Sequence, residues 1–101
     1  MIRLYFRGLD MDSKDISKLR QKLGLNQDKF GQLFGIHPMT VSKWERGILT
    51  PTPYQVAMME AFKKAAEKKD INEKLKNILV AAGVVAAVYL LLKYSHEVVG
   101  K

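Results

Sequence analysis

Side chains with the chemistry for catalysis or metal binding are scarce in this sequence. The chain has no cysteine, and its two histidines, His37 and His96, lie far apart. No Ser/His/Asp or Cys/His arrangement is present, and no pair of carboxylates stands out from the charges of the helix surfaces. The absence of cysteine excludes a disulfide framework and a cysteine-ligated zinc site. The sequence therefore predicts no enzyme, no metal site and no cofactor.

The abundant functional groups are cationic. Lys and Arg number 17 and Asp and Glu number 10, which gives a formal net charge of +7. Such an excess favours an anionic partner, either nucleic acid or the inner face of a membrane. The 101 residues, of which 48% are hydrophobic, suffice for one small folded domain with an appendage. They are too few for the usual nucleotide-binding enzyme folds.

Apolar periodicity predicts four helices over residues 12–69. Each is preceded by a residue whose side chain can accept a hydrogen bond from the backbone N–H groups of the first turn. These capping residues are Asp12 or Ser13, Asn26, His37 and Thr52. Pro38 and Pro53 occupy first helical positions, where a missing N–H costs nothing.

The third predicted helix, over residues 38–46, has an inward and an outward side. Val41 is expected to fill the space between helices, and Gly31 of the preceding helix is small enough to permit a close approach. The residues expected on the outward side and its flanks are Met39, Thr40, Ser42, Lys43 and Arg46.

A family resemblance lies in residues 16–47, which read ISKLRQKLGLNQDKFGQLFGIHPMTVSKWERG. This segment is similar to the Cro/CI-type (XRE family) helix-turn-helix of bacterial and phage repressors. The matching features are Gly-Leu-Asn-Gln at the start of the second helix, Gly31, the Gly35-Ile36 turn, and Trp44-Glu45-Arg46-Gly47 at the end of the third. The resemblance implies an all-α, lambda-repressor-like domain of four to five helices, followed by a C-terminal apolar helix.

The resemblance also implies that the third helix lies in the major groove of double-stranded DNA. It assigns base reading to Pro38, Met39, Ser42 and Lys43, and phosphate contacts to Gln27, Thr40 and Arg46. Many family members have Gln, Arg or Ser where this chain has Pro38 and Met39. Because these two side chains offer no strong hydrogen-bond donor, contact with a thymine methyl or readout of DNA shape must contribute more.

An ion pair between the first and third helices is a further implication of the resemblance. It would join Arg20 to Glu45, and the planar guanidinium suits bidentate binding of a carboxylate. The alternative is two unrelated surface charges.

Residues 70–94 predict a C-terminal helix, which either restarts after the fourth helix or continues it. Its central run, residues 78–92, has no charged or strongly polar side chain. A helix that is apolar on all sides must be buried on all sides, and the domain over residues 12–69 is expected to close its own core without it. Three environments stay open: a bilayer, a second copy of the chain, or another protein.

As a membrane anchor, residues 77–94 would be a marginal span. The lysines before them would place the N-terminal side in the cytoplasm, with the protein attached to the inner membrane. Either a bilayer or a second copy would serve a homodimer that reads two half-sites about 34 Å apart. Small residues four apart would permit close helix approach in that dimer, namely Ala82 with Ala86 and Gly83 with Ala87.

The two ends of the chain are less informative. Residues 1–11 alternate loosely between apolar and basic, which fits a short strand, an ordered arm, or a leader with Met11 as the start. Residues 95–101 are expected to form a tail. The N-terminus does not resemble a signal peptide, which favours a cytoplasmic location.

Taken together, the sequence predicts a DNA-binding transcriptional regulator, a repressor that is dimeric on a palindromic operator. The alternative is a membrane-anchored helix-turn-helix protein that docks another protein instead of reading DNA. A third possibility is membrane association through basic charge alone.

Overall fold

Six helices make up the described part of the chain in a computed structural model, which covers residues 11–100, with side chains as far as Ser95. In order they are α1 (Ser13–Lys22), α2 (Gln27–Phe34), α3 (Pro38–Glu45), α4 (Pro53–Ala65), α5 (Ile71–Ala81) and α6 (Val84–Gly100). The predicted all-α class is confirmed. The expected N-terminal arm lies, apart from Met11, outside the described residues.

The helix starts follow from capping chemistry. The Asp12 carboxylate accepts a hydrogen bond from the Asp15 N–H at 2.9 Å, and the Asp15 carboxylate accepts one from the Asp12 N–H at 3.2 Å. Thr52 and Gln55 form the same reciprocal box at the start of α4, and Asn26 caps α2. These predicted caps are confirmed, and each satisfies backbone donors that a helix start would otherwise leave unpaired.

A glycine permits the close approach of α2 and α3. A Cβ atom at Gly31 would lie 2.8 Å from the backbone oxygen of Ile36 and 3.3 Å from Cγ2 of Val41. No side chain fits at that distance from a carbonyl oxygen, so the predicted packing role of Gly31 is confirmed. Gly35 ends α2 with a left-handed conformation, φ 69°, and turns the chain towards α3.

The core is built around an aromatic cluster. The ring of Phe34 packs against those of Phe30, Trp44 and Phe62, with centroid distances of 5.2, 5.7 and 5.4 Å. Edge-to-face and tilted arrangements of this kind are favourable for aromatic pairs. The cluster therefore joins α2, α3 and α4 into one core.

The expected single C-terminal helix over residues 70–94 is wrong. Two helices occupy this segment, and the chain turns between them at Gly83, whose φ of 93° only glycine adopts at low cost. The expected tail over residues 95–101 is also corrected, because α6 continues to Gly100.

The expectation that the upstream domain closes its core without the C-terminal segment is wrong as well. The reversal at Gly83 brings α6 back against α4, where Ala87 and Leu91 are fully buried. Near the end of α6, the ammonium groups of Lys68 and Lys74 lie 5.3 and 5.4 Å from the centroid of the Tyr94 ring. Among residues 11–100, no helix is both long enough and apolar enough to cross a membrane.

Candidate nucleic-acid interface

The first turn of α3 is fixed by two neighbouring residues. His37 has an extended backbone, and its Nδ1 accepts a hydrogen bond from the Met39 N–H at 3.0 Å. Pro38 follows at the first helical position. The predicted role of His37 as a cap is confirmed, and this geometry sets where the outward side of α3 begins.

The two sides of α3 differ sharply in exposure. Val41 and Trp44 are 0% and 2% exposed and hold the helix to the core. On the opposite side Met39 is 53% exposed, and Lys43 and Arg46 are also exposed. The remaining expected contacts of this helix, Pro38, Thr40 and Ser42, are partly buried. The exposed side chains of Met39, Lys43 and Arg46 thus form a mixed apolar and cationic ridge on α3.

Two of the expected contact residues are hydrogen-bonded to each other. The Arg46 Nε donates to the Ser42 hydroxyl at 3.0 Å and is 3.3 Å from the Ser42 carbonyl oxygen. This contact lays the arginine along the outward side of α3, so the two side chains act as one unit of the surface.

An ion pair between Arg20 and Glu45 joins α1 to the end of α3. The Arg20 Nε donates to Glu45 Oε2 at 2.6 Å, and a second guanidinium nitrogen donates to Glu45 Oε1 at 3.1 Å. The third nitrogen donates to the Leu25 carbonyl oxygen at 3.0 Å. The side chains are only 18% and 9% exposed, so little solvent competes with the pair.

Gln27, the first residue of α2, joins the same group. Its amide Nε2 donates to Glu45 Oε1 at 3.2 Å. This bond places the start of α2 at a fixed position beside the end of α3. The start of a helix is in general a favourable place for an anion such as phosphate.

The small residues expected to pack a dimer do not share an open face. Ala87 is fully buried against the core of its own chain. Gly83 and Ala86 are partly buried, and Ala82 is exposed. The exposed side of α6 carries larger side chains instead: Val85, Tyr89 and Leu92 are 84%, 69% and 43% exposed.

Two features of the site were not predicted from the sequence. Trp44 was not recognised as a core residue, although its spacing of three from Val41 on one helix is the signal that could have found it. The bond from Gln27 to Glu45 had no signal in the sequence, because it depends on how α2 and α3 cross. Within residues 11–95, no group of His, Asp and Glu side chains is placed to hold a metal ion.

Comparison with known proteins agrees with this geometry. Residues 16–62 match the family model described as "Helix-turn-helix", a segment that holds most of α1, all of α2 and α3, and most of α4. No curated protein and no solved structure is similar enough to this chain to count as a match. Residues 16–62 therefore form a helix-turn-helix domain of the Cro/CI (XRE) type, a type of domain found in DNA-binding transcription regulators.

Proposed function

We propose that this protein is a sequence-specific transcriptional repressor that reads the major groove with α3 and binds a palindromic operator as a homodimer. The observation that carries the proposal is the ridge of α3. Met39, Lys43 and Arg46 are exposed on it, while Val41 and Trp44 hold the helix from below. A helix held on one side and cationic on the other is suited to lie in a groove of a polyanion.

The dimensions of α3 suit this role. An α-helix with its side chains is about 10 to 12 Å in diameter, and the major groove is about 12 Å wide, so a helix that is exposed along one side, as α3 is, can enter it. Base edges would be met by Pro38, Met39, Ser42 and Lys43. Phosphates would be met by Gln27, Thr40 and Arg46.

A second copy of the chain would meet this one through the outer side of α6. Val85, Tyr89 and Leu92 recur at helical spacing on that side and are exposed. A palindromic operator requires two identical readers related by a two-fold axis, which this shared face would supply. Repression follows if the dimer occupies DNA that the transcription machinery needs.

Protein docking by the same region is the second candidate function. Met39, Ile48, Leu49 and Tyr54 are exposed apolar side chains on α3 and in the chain that follows it, and DNA binding alone does not require all of them. The membrane-anchored form of this alternative needs a free C-terminal segment, whereas Ala87 and Leu91 are buried in the shared core.

Binding to DNA upstream of the protein's own coding sequence tests the proposal. We expect Lys43→Ala and Arg46→Ala to weaken binding in a gel-shift titration, and binding of the wild type to fall steeply with salt, because phosphate neutralisation releases counterions. Lys64→Ala, at an exposed position of α4, is the charge-matched control. Equal binding by all four proteins, or none by the wild type, would contradict a DNA reader and favour docking.

Met39 allows a separate test of sequence reading. We expect Met39→Ala to cost about 1 kcal/mol, roughly fivefold, at the preferred sequence. Its binding to unrelated duplexes should be unchanged, since a thioether neutralises no phosphate. An equal loss on all duplexes would argue against base contact by this residue.

A further inference from the structure

A cationic cleft lies between the α1–α2 turn and α5. It has a volume of about 280 Å³ and is lined by the turn residues Gly24 to Asn26, by Lys29 of α2, and by Lys76 and the apolar side chains of Leu79 and Val80 on α5. Of the described residues that line it, two are lysines and none is a carboxylate. Because α5 begins at Ile71, this side of the cleft lies beyond the segment 16–62 that matches the helix-turn-helix family.

The approach of α5 to the turn fixes the position of Lys76. Gly24 has φ 75°, and a Cβ atom there would lie 3.3 Å from Cε of Lys76 and 3.2 Å from Cβ of Asn72. The aliphatic part of Lys76 therefore rests on the glycine of the turn. Long cationic side chains commonly bury their methylene groups in this way while the ammonium group stays in water. Lys76 and Lys29 are both exposed.

The cleft borders the α2 end of the proposed DNA interface. Asn26, which lines the cleft, directly precedes Gln27, the expected phosphate contact. Leu25, which also lines it, accepts a hydrogen bond from Arg20, and Arg20 holds Glu45 of α3. The turn that lines the cleft is thus held by Arg20, the same side chain that holds Glu45 of α3.

We propose that Lys29 and Lys76 bind backbone phosphates of the duplex that α3 reads, so that α5 extends the DNA interface beyond the helix-turn-helix domain. This inference rests on the proposed function. A DNA strand carries one phosphate about every 3.4 Å along the helix axis. A strand that passes Gln27 therefore presents further phosphates to cations on the adjoining turn. Such contacts raise affinity for every sequence and add no sequence preference.

A salt titration on a mixed-sequence duplex of about three helical turns tests the inference, because phosphate contacts do not need the operator. Fluorescence anisotropy would be measured for the wild type, Lys29→Ala, Lys76→Met, Lys76→Arg and Lys64→Ala. Lys76→Met keeps the methylene contact with Gly24 and removes the charge. Lys76→Arg keeps the charge, and Lys64→Ala removes a charge from an exposed site that does not line the cleft.

We expect Lys29→Ala and Lys76→Met each to lower the slope of log affinity against log salt by about 1, and to weaken binding about five- to tenfold at 0.1 M salt. Lys76→Arg and Lys64→Ala should behave like the wild type. Wild-type slope and affinity in Lys29→Ala and Lys76→Met would overturn the inference. Equal losses in Lys76→Arg and Lys76→Met would overturn it too, because charge would then not be the cause.

The same titration separates this inference from the proposed function. If the wild type binds the duplex and Arg46→Ala weakens it while the cleft variants do not, DNA binding by α3 stands and the extension to α5 falls. If the wild type does not bind the duplex at low salt, both fall together.

Discussion

Arg20 and Glu45 are 25 residues apart in sequence and meet in a bidentate ion pair, with the shorter contact at 2.6 Å. The pair joins α1 to the last residue of α3. Glu45 also accepts a hydrogen bond from Gln27 at the start of α2. One carboxylate therefore sets the relative positions of three helices, α1, α2 and α3.

Glu45→Gln should destabilise the domain. The substitution keeps the size of the side chain but leaves the guanidinium of Arg20, which is 18% exposed, without its counter-charge. Removing one member of a largely buried, hydrogen-bonded pair costs about 2 kcal/mol. We therefore expect the melting temperature to fall by about 10 °C. Unfolding can be measured by the fluorescence of Trp44, which is 2% exposed.

The control for Glu45→Gln is Lys14→Gln, at an exposed position on α1, which should change stability by less than about 0.5 kcal/mol. A melting temperature for Glu45→Gln equal to that of this control would mean that the pair adds nothing to stability.

Gly31→Ala should also destabilise the protein, although alanine is the better helix former. Alanine gains about 1 kcal/mol in a helix interior, but its Cβ would lie 2.8 Å from the Ile36 oxygen and 3.3 Å from Val41. Overpacking typically costs about 1 to 3 kcal/mol, and we expect the upper part of this range, about 2 to 3 kcal/mol, because a backbone atom cannot rotate away as a side chain can. We expect a net loss of about 1 to 2 kcal/mol in urea unfolding.

Gly35→Asn is the matched comparison for Gly31→Ala. A Cβ atom at Gly35 would meet nothing within 4 Å, and asparagine tolerates the left-handed conformation found there. Gly35→Asn should lower the free energy of unfolding by less than Gly31→Ala does. The reverse order would argue against a steric role for Gly31.

The starts of the helices could be predicted from the sequence because capping is local chemistry. Asp12, Asn26, His37 and Thr52 each bond to a backbone N–H within three residues. Gly31 could be predicted because two helices that cross at a steep angle must approach closely, and a small residue is needed where they meet. The exposed side of α3 could be predicted from the inward place of Val41 alone, because the remaining positions of a short helix are then fixed by its periodicity.

The C-terminal segment could not be predicted in the same way. An uninterrupted apolar run has no periodicity to reveal which side is buried, and Gly83 is one small residue among several alanines. Its φ of 93° and the return of α6 to α4 arise from tertiary packing. The position of Lys76 beside Gly24 also arises from tertiary packing, so the sequence could not predict it.

Asp12 should give the protein a pH-dependent stability in acid. The hydrogen bond from the Asp15 backbone N–H lowers the pKa of the Asp12 carboxyl from its ordinary value of 3.8. The folded state therefore favours the charged form. The resulting stabilisation is complete above the unfolded-state pKa and is lost as the pH falls through the lowered folded-state pKa.

Asp12→Asn separates this effect from capping itself, because asparagine is also a good cap but does not titrate. We expect the difference in melting temperature between wild type and Asp12→Asn to be constant above about pH 5 and to shrink towards pH 2. A difference that does not vary with pH would show that the charge of Asp12 contributes nothing.

Leu91 and Leu92 are neighbours on α6 and offer the sharpest test of its place in the fold. Leu91 is 0% exposed and Leu92 is 43% exposed. If α6 is part of the core, Leu91→Ala leaves a cavity and costs about 3 kcal/mol, whereas Leu92→Ala costs less than about 0.5 kcal/mol. Both losses can be measured by urea unfolding with Trp44 fluorescence, which reports on α3. A C-terminal helix that does not pack on the domain would leave the unfolding of α3 unchanged by either substitution. A loss confined to Leu91→Ala therefore requires that α6 and α3 unfold as one unit.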